Sequence, residues 1–387
     1  GKGGKQERGN KMHMKKQNFI GLLVAVFLAG SAAALGAVLL VQNGIIGNMV
    51  KVPAEEYKYY ERLDERYAKL DQIYEQVSKT FYKAPKEEDL ETGMYKGLIA
   101  GLGDPYSAYM TKEEYQSWSD STLGEFDGIG VTFSTNRNGD YVVINTIPGT
   151  PAAKAGLKAG DLILAVNGKT YSSMETLGAA MKGKAGTKVT VTYARDNKQQ
   201  EVTMKRAKIV NVTVESKIIN KNIGYIAVSS FEEHTAEDFE KHLNEMEQKK
   251  VKGLVIDLRG NGGGIVESGF KIADRLLGKG TITYLQDRQG KKQYIKSDAG
   301  ATRLPYVLLV DENTASTSEI LAAAVKDNSS NALVGTNTFG KGIVQVSGTL
   351  EDGSALKLTT MQYFSPKGSV INGKGVKPDY VVKNTAK

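Results

Sequence analysis

The sequence of 387 residues predicts an α/β chain of several parts: an apolar N-terminal helix, a helical arm, a small β-rich domain with two helices, and a larger α/β domain. Three observations support this organisation. A stretch without charged residues lies near the N-terminus, a tyrosine-rich segment repeats apolar residues in steps of three and four, and apolar strands alternate with helices in the last half. We place the parts at residues 1–18, 19–41, 54–110, 111–206 and 207–382.

The apolar segment, residues 19–41, is long enough to cross a bilayer as one helix. Six basic residues and one acidic residue lie within residues 1–16, so the positive-inside rule predicts a single-pass protein of the cell membrane. Its N-terminal tail would be cytoplasmic and everything after residue 50 extracytoplasmic. A cleaved signal peptide is the alternative, since small residues occupy positions 31–34, and the chain would then be secreted. The uninterrupted apolar run to residue 41 favours an uncleaved anchor over that and over a buried core helix.

Residues 54–82 have the composition of a long helix with a regular apolar seam. The seam consists of Tyr60, Leu63, Tyr67, Leu70, Tyr74, Val77 and Phe81. It predicts either a homodimer or a helix that packs on its own domain. Pro85 closes the helix, and a second helix over residues 90–102 leads to the motif Gly103-Asp104-Pro105-Tyr106-Ser107.

Composition excludes several chemistries. The chain has no cysteine, which removes thiol nucleophiles, disulfides and cysteine-based metal sites. Its three histidines, His13, His234 and His242, form no His-Glu-x-x-His pattern, so we expect no metal. A Ser-His-Asp triad could use only His234 or His242, which we interpret as surface residues. The net charge of +8 forms no basic stripe interleaved with aromatics, so we expect no nucleic-acid partner.

Residues 124–206 form a separate unit of short strands with two helices, a short alanine-rich one that Gly156 ends and one at residues 174–181. The portion from Gly156 to Gly168, with a left-handed stop, a turn, a strand and an Asn-Gly turn, closely resembles a PDZ domain. PDZ domains capture a free peptide C-terminus by strand addition. The resemblance implies that the backbone N–H groups of Gly128, Ile129, Gly130 and Val131 hold the terminal carboxylate. The alternative is a PDZ-like fold that only packs on its neighbour.

The last part contains two glycine motifs that could suggest a nucleotide site. Residues 335–341 fit the start of a P-loop, but Gly342 stands where a serine or threonine should hold magnesium, and a strand follows. Residues 260–264 join a strand to a helix, but Ile265 occupies the last glycine position of the dinucleotide fingerprint. We therefore expect no nucleotide and no other cofactor.

Two residues of this part carry chemistry. Ser316 follows the apolar strand at residues 306–310 and begins a helix, and Lys341 lies between two glycines beside apolar residues. Taken alone, Ser316 is better interpreted as a helix cap that Glu319 completes. Hydroxyl residues nevertheless crowd this turn beyond what a cap needs, at positions 314, 316, 317 and 318.

The motifs together resemble the carboxyl-terminal processing, or tail-specific, proteases over most of the chain. The motifs are the Gly103–Ser107 segment, the PDZ domain, Asp257-Leu258-Arg259-Gly260-Asn261-Gly262-Gly263-Gly264, Thr314-Ala315-Ser316-Thr317-Ser318-Glu319, Gly340-Lys341-Gly342 and Gly375-Val376-Lys377-Pro378-Asp379. The resemblance implies that Ser316 is the nucleophile and Lys341, 25 residues later, the base. It also implies that Gln345 supports the lysine and that Asp327 is a structural partner. Many members have alanine where Thr317 stands.

The resemblance further implies a serine endopeptidase that cleaves proteins near their C-termini, with protein or peptide substrates whose C-termini are free. Lys341 can act only when neutral, so burial must lower its pKa from about 10.4. We expect Phe339, Ile343 and Val344 to supply apolar surroundings. We expect an oxyanion hole from the N–H of Thr317 and an N–H of Gly262 or Gly263. The PDZ domain would deliver substrate or gate the site. The alternative function is a membrane-tethered PDZ scaffold with an inactive hydrolase-like domain.

Overall fold

The structure is a computed structural model that describes residues 16–42, 52–136, 138–298 and 300–383. Most of the tail expected at residues 1–18, including His13, lies outside the described residues. The chain divides into two compact units, residues 1–90 and 91–387. The mixed α/β fold class is confirmed.

The first unit is helical in its described part. Helix α1 spans Lys16–Gln42 and helix α2 spans Ala54–Thr80. Within α1, residues Ile20–Leu40 are long and apolar enough to cross a membrane by length and composition, a test that a signal sequence also passes. None of the residues of α2 is buried in the described chain. The homodimer therefore stays a prediction.

The second unit begins within helix α3 (Glu87–Ala100) and continues into a small antiparallel domain. Strand β1 (Ala108–Met110) and helix α4 (Lys112–Leu123) precede it, and β2 (Glu125–Gly128) pairs with β8 (Ala207–Val210) where the chain enters and leaves. A five-stranded sheet in the order β3-β4-β5-β6-β7 packs with two helices around a core that includes Ile129, Leu177 and Val191. Its elements are β3 (Val131–Thr135), β4 (Tyr141–Thr146), α5 (Pro151–Lys154), β5 (Leu162–Val166), α6 (Met174–Met181), β6 (Lys188–Arg195) and β7 (Lys198–Lys205).

The larger domain contains a six-stranded sheet in the order β18-β15-β14-β11-β10-β9, parallel except for β9. Near-continuous apolar runs form its central strands because both faces are covered. Its elements are β9 (Val214–Ile219), β10 (Ile223–Val228), α7 (Thr235–Gln248), β11 (Gly253–Asp257), α8 (Val266–Leu276), β14 (Tyr306–Val310), α9 (Thr317–Asn328), β15 (Ala332–Gly335) and β18 (Tyr380–Val381). The apolar strand expected at residues 306–310 is β14, and the helix expected to begin at Ser316 is α9.

A second sheet of five strands completes this domain. It has the order β1-β17-β12-β13, with β16 also paired to β17. Its elements in the larger domain are β12 (Gly280–Asp287), β13 (Lys292–Ser297), β16 (Ile343–Thr349) and β17 (Ala355–Phe364). Of these strands, the sequence predicts only the start of β16, after Gly342. The pairing of β1 with β17 brings the segment after Gly103-Asp104-Pro105-Tyr106 into the larger domain.

Candidate active site

Ser316 lies in a strained turn between strand β14 and helix α9. Its backbone has φ 57° and ψ −120°, a conformation that costs a non-glycine residue free energy and is typical of functional sites. The N–H of Glu319 donates to the carbonyl oxygen of Ser316 at 2.8 Å. The Glu319 side chain accepts the N–H of Ser316 at 2.9 Å, so the capping box expected at this helix start is present. An N-cap residue ordinarily has extended backbone angles, so capping alone does not account for the positive φ of Ser316.

The other hydroxyls of the turn bind neighbouring loops instead of the helix end. Thr314 Oγ1 donates to the carbonyl oxygen of Leu258 at 2.9 Å, and Thr317 Oγ1 donates to that of Gly264 at 2.9 Å. Ser318 Oγ donates to the carbonyl oxygen of Asn261 at 3.0 Å. The crowding of hydroxyls thus fixes the serine turn against the loop that follows β11.

Glu319 is a fully buried carboxylate that joins the serine turn to the lysine turn. Its Oε2 accepts the N–H groups of Ser316 (2.9 Å) and Lys341 (2.8 Å). Its Oε1 accepts the N–H of Gly340 (2.7 Å) and the hydroxyl of Thr338 (2.6 Å). Four donors are a full set of partners for one carboxylate. The same side chain therefore fixes the backbone at both expected catalytic positions.

Tyr363 of β17 joins the same two turns through their carbonyl groups. Its buried hydroxyl contacts the carbonyl oxygen of Ser316 at 2.9 Å and also that of Lys341. Burial raises the pKa of this phenol well above its usual range, so the hydroxyl remains a donor. Tyr363 and Glu319 together fix the backbones of Ser316 and Lys341 relative to each other.

The Lys341 side chain is half-buried, and burial lowers the pKa of its amine from the usual 10.5. The positive charge of Lys357 lowers this pKa further, while the charges of Asp104 and Glu319 raise it. The expected apolar neighbour Phe339 is 58% exposed. The aromatic ring that faces the amine is instead Tyr106, whose centroid lies 4.3 Å from Lys341 Nζ.

Gln345 does not hydrogen-bond to the lysine amine in the described structure. Its Nε2 donates to Thr359 Oγ1 at 3.0 Å, across the β16–β17 pair. The backbone N–H of Thr359 in turn donates to Ser107 Oγ at 3.0 Å. Gln345 is therefore connected to the Gly103–Ser107 segment through strand β17.

The glycine-rich loop after β11 approaches the serine turn closely at Gly263. A Cβ at this position would lie 2.8 Å from both the carbonyl oxygen of Ala315 and the Cβ of Ser316, and the residue has φ 98°. Its N–H donates to Oδ1 of the buried Asn261 at 2.8 Å. Within the described residues, the N–H groups of Gly262 and Thr317 have no acceptor.

The four expected carboxylate-binding residues border a small apolar cavity in the antiparallel domain. This cavity of about 100 Å³ is lined by Phe126, Gly128, Ile129, Gly130, Val131, Phe133, Gly178, Met181 and Lys182. Across the part of the chain that the structure covers, the N–H groups of Ile129 and Gly130 have no acceptor. Gly130 has φ 75°, and a Cβ there would clash with Thr150. Open backbone donors therefore lie beside an apolar cavity.

The two histidines of the described chain have other partners. His242 Nδ1 contacts Ser216 Oγ at 2.8 Å, and His234 Nε2 contacts Glu125 at 3.0 Å. Asp327 accepts hydrogen bonds from Ser365 Oγ at 2.6 Å and the N–H of Lys367 at 2.9 Å. The described residues contain no group of three or more side chains suited to a metal ion.

Three contributors to this region are not predictable from the sequence in the roles that the structure gives them. The sequence predicts Glu319 only as a capping partner, and it places Tyr106 in a motif without a role. Tyr363 had no local signal, because its contacts depend on a sheet pairing that its own sequence does not reveal. Neither the geometry of the serine turn nor the surroundings of the Lys341 amine could therefore be predicted from the sequence.

Family models match three segments of the chain. Residues 222–382 match peptidase family S41, residues 128–205 match the PDZ domain, and residues 28–114 match the model described as the activating protease CtpB N-terminal domain.

Curated relatives and a solved structure agree with these matches. Carboxy-terminal processing protease CtpA of Bacillus subtilis (strain 168) is 36% identical over 320 residues, which cover 81% of this chain and 68% of that protein. CtpB of the same organism is 36% identical over 375 residues, with 93% and 78% covered. The solved photosystem II D1 C-terminal processing protease is 27% identical, covers 86% of this chain and 94% of its own, and has a TM-score of 0.50. The chain therefore belongs to peptidase family S41, as a carboxy-terminal processing serine protease with a PDZ domain.

Proposed function

We propose that the chain is a serine endopeptidase that cleaves proteins near their C-termini, with Ser316 as nucleophile and Lys341 as general base. The observation that carries this proposal is the buried Glu319 carboxylate, which accepts the N–H groups of both residues. One side chain thereby ties a strained serine to a lysine whose pKa burial lowers. A serine nucleophile requires a neighbouring base, and a lysine serves once it is neutral.

The reaction follows from these groups. Neutral Lys341 takes the proton of the Ser316 hydroxyl while Oγ attacks the scissile carbonyl carbon. The resulting ammonium then gives its proton to the leaving amine, and a serine ester remains. Water, deprotonated by the same amine, hydrolyses that ester and regenerates the enzyme. No step requires a metal or another cofactor.

Two backbone donors are suited to the oxyanion of this reaction. The N–H of Thr317 lies at the start of α9, where the helix dipole favours negative charge. The N–H of Gly262 is the second donor that we propose. Gly263 is the weaker candidate because its N–H already donates to Asn261. Its role is to let the loop approach the serine closely.

Gln345 supports the base indirectly in this proposal. Its amide is neutral, so it adds no charge that would raise the pKa of Lys341. Its hydrogen bond to Thr359 fixes the start of β16, the strand that immediately follows the lysine turn.

The PDZ domain would bind the free C-terminus of the substrate and either deliver it or gate the catalytic site. The unpaired N–H groups of Ile129 and Gly130 in the described structure suit a carboxylate, and the adjoining cavity suits an apolar side chain. Gly128 and Val131 flank these N–H groups. Amidation of the peptide C-terminus removes the charge that these N–H groups would bind, so we expect it to raise KM for the same cleavage.

We also propose that helix α1 anchors the protein in the cell membrane, with the catalytic part outside the cytoplasm. The length and composition of Ile20–Leu40 support an anchor, although a signal sequence passes the same test. We expect the full chain to remain in washed membranes. We also expect its catalytic part to be accessible to an added protease from the outer side. Release of a shortened chain into the medium would contradict it.

Peptide cleavage by point variants tests the catalytic assignment. We expect Ser316→Ala and Lys341→Ala each to lower kcat by several orders of magnitude, because the nucleophile and the base act as a unit. The exposed Ser369→Ala and Lys367→Ala are matched controls and should cleave normally. Equal cleavage by all four variants would remove the assignment. Peptide binding without cleavage by the unmodified chain would favour the scaffold alternative.

A further inference from the structure

An aromatic ring from a distant part of the sequence lies against the amine of Lys341. The Nζ atom is 4.3 Å from the centroid of the Tyr106 ring. An ammonium within about 6 Å of a ring centroid is attracted by the negative face of the ring. The amine therefore has a specific contact on the side formed by the Gly103–Ser107 segment.

Hydrogen bonds fix this ring relative to the catalytic domain. Asp104 accepts the N–H of Tyr106 at 3.1 Å and the hydroxyl of Ser107 at 2.6 Å, which closes the turn. Ser107 Oγ accepts the N–H of Thr359 at 3.0 Å, and β1 pairs with β17 immediately afterwards. The turn is thus attached to the strand that carries Thr359, the hydrogen-bond partner of Gln345.

The charged groups around the amine explain why a ring suits this position. Asp104 and Glu319 favour the ammonium, and Lys357 on β17 disfavours it. Within the described chain, no carboxylate forms an ion pair with Lys341. A ring face attracts an ammonium more weakly than a paired carboxylate does, so it can hold the side chain without preventing the loss of its proton.

We propose that Tyr106 is a positioning residue for Lys341, and that the face of its ring holds the protonated amine beside the serine turn. The contact requires the aromatic face and not the phenol hydroxyl. It also makes the Gly103–Ser107 segment, which precedes the PDZ domain in the sequence, a structural part of the catalytic site. The inference rests on the proposed role of Lys341 as the base.

Titration of the lysine itself tests this inference without turnover. The full chain with Ser316→Ala is labelled with ¹³C at the lysine ε-carbons, and a further Lys341→Met variant identifies the Lys341 signal. Leucine keeps an apolar side chain over the amine but lacks the ring face, which attracts only the charged form, so the pKa of Lys341 should fall. We expect Tyr106→Leu to lower it by about 0.5–1.5 units, whereas Tyr106→Phe should leave it unchanged.

Tyr109→Leu is the matched control. Tyr109 lies two residues after that segment, in β1, and contacts Tyr95 with ring centroids 5.1 Å apart, so its replacement should leave the Lys341 titration unchanged. Tyr106→Met is a second aliphatic variant in case the leucine variant does not fold. An unchanged pKa in a folded aliphatic variant, or an equal decrease in Tyr106→Phe, would overturn the inference. Because Ser316 is absent from all these proteins, that result is distinct from failure of the proposed protease mechanism.

Discussion

Glu319→Gln directly tests the hydrogen bonds that join the serine turn to the lysine turn. Both oxygens of the buried carboxylate accept two hydrogen bonds each. Glutamine keeps the shape of the side chain but replaces one oxygen with an NH₂ group, which cannot accept. Two of the four donors would then face another donor.

The expected loss follows from those two donors. A buried donor without a partner costs about 1–3 kcal/mol, so Glu319→Gln should lower the free energy of unfolding by about 2–6 kcal/mol. A displacement of about 1 Å between reacting groups can cost about 100-fold in rate, so we expect kcat/KM to fall by at least about 100-fold. Glu319→Asp keeps both acceptors on a shorter side chain and should have an intermediate effect.

Urea unfolding and peptide cleavage would measure these two losses. Unfolding can be followed by the fluorescence of Trp118, the single tryptophan of the chain. The control is Glu312→Gln, since Glu312 is exposed and its side chain accepts one side-chain hydrogen bond, from Thr336. We expect this control to match the unmodified chain. The reasoning would be refuted if Glu319→Gln cleaved peptides normally and its free energy of unfolding lay within about 1 kcal/mol of that of the unmodified chain. Such a small loss of stability is less than two unpaired buried donors require.

Three further predictions concern the loop, the base and the peptide pocket. Gly263→Ala should reduce kcat by at least about 10-fold, because the added Cβ would displace the serine turn. Gly262→Ala is the control and should retain most activity, because a Cβ there meets nothing within 4 Å. Equal kcat values for the two variants would contradict this prediction. Lys357→Met removes a positive charge that lowers the pKa of Lys341, so the pKa of Lys341 should rise. The acidic limb of the pH profile of kcat/KM should then move to higher pH. A move to lower pH would contradict this prediction. A cavity of about 100 Å³ bordered by Met181 should bind peptides ending in alanine or valine more tightly than peptides ending in phenylalanine, as measured by calorimetry, and the reverse order would exclude this cavity as the terminal pocket.

The parallel sheet was predictable because its strands are buried on both faces and are therefore continuous apolar runs. The runs at β10, β11 and β14 are visible without long-range information, and β14 spans the residues expected for it. The second sheet was largely missed because strands β13, β16 and β17 mix polar and apolar residues and are mostly partly buried or exposed, so no continuous apolar run marks them. Its pairing of β1 with β17 joins segments that are distant in the sequence.

The candidate site divides in the same way. Ser316 and Lys341 could be proposed from the sequence through the family resemblance, because Ser316 taken alone is better interpreted as a helix cap. The side chains that surround these two residues could not be predicted from the sequence. Phe339 is adjacent to the lysine turn but 58% exposed, whereas the distant Tyr106 lies against the amine. Proximity in sequence is a poor guide to what covers a side chain when neighbouring strands come from other parts of the chain.

The most direct measurement is covalent labelling of the full chain with a fluorophosphonate, followed by peptide mapping. The probe forms a bond with a serine that a neighbouring base activates. The proposed mechanism predicts one labelled residue, Ser316, and loss of that label in Lys341→Ala while Lys367→Ala retains it. Labelling at a different serine, or full labelling of Ser316 in the absence of the Lys341 amine, would contradict it.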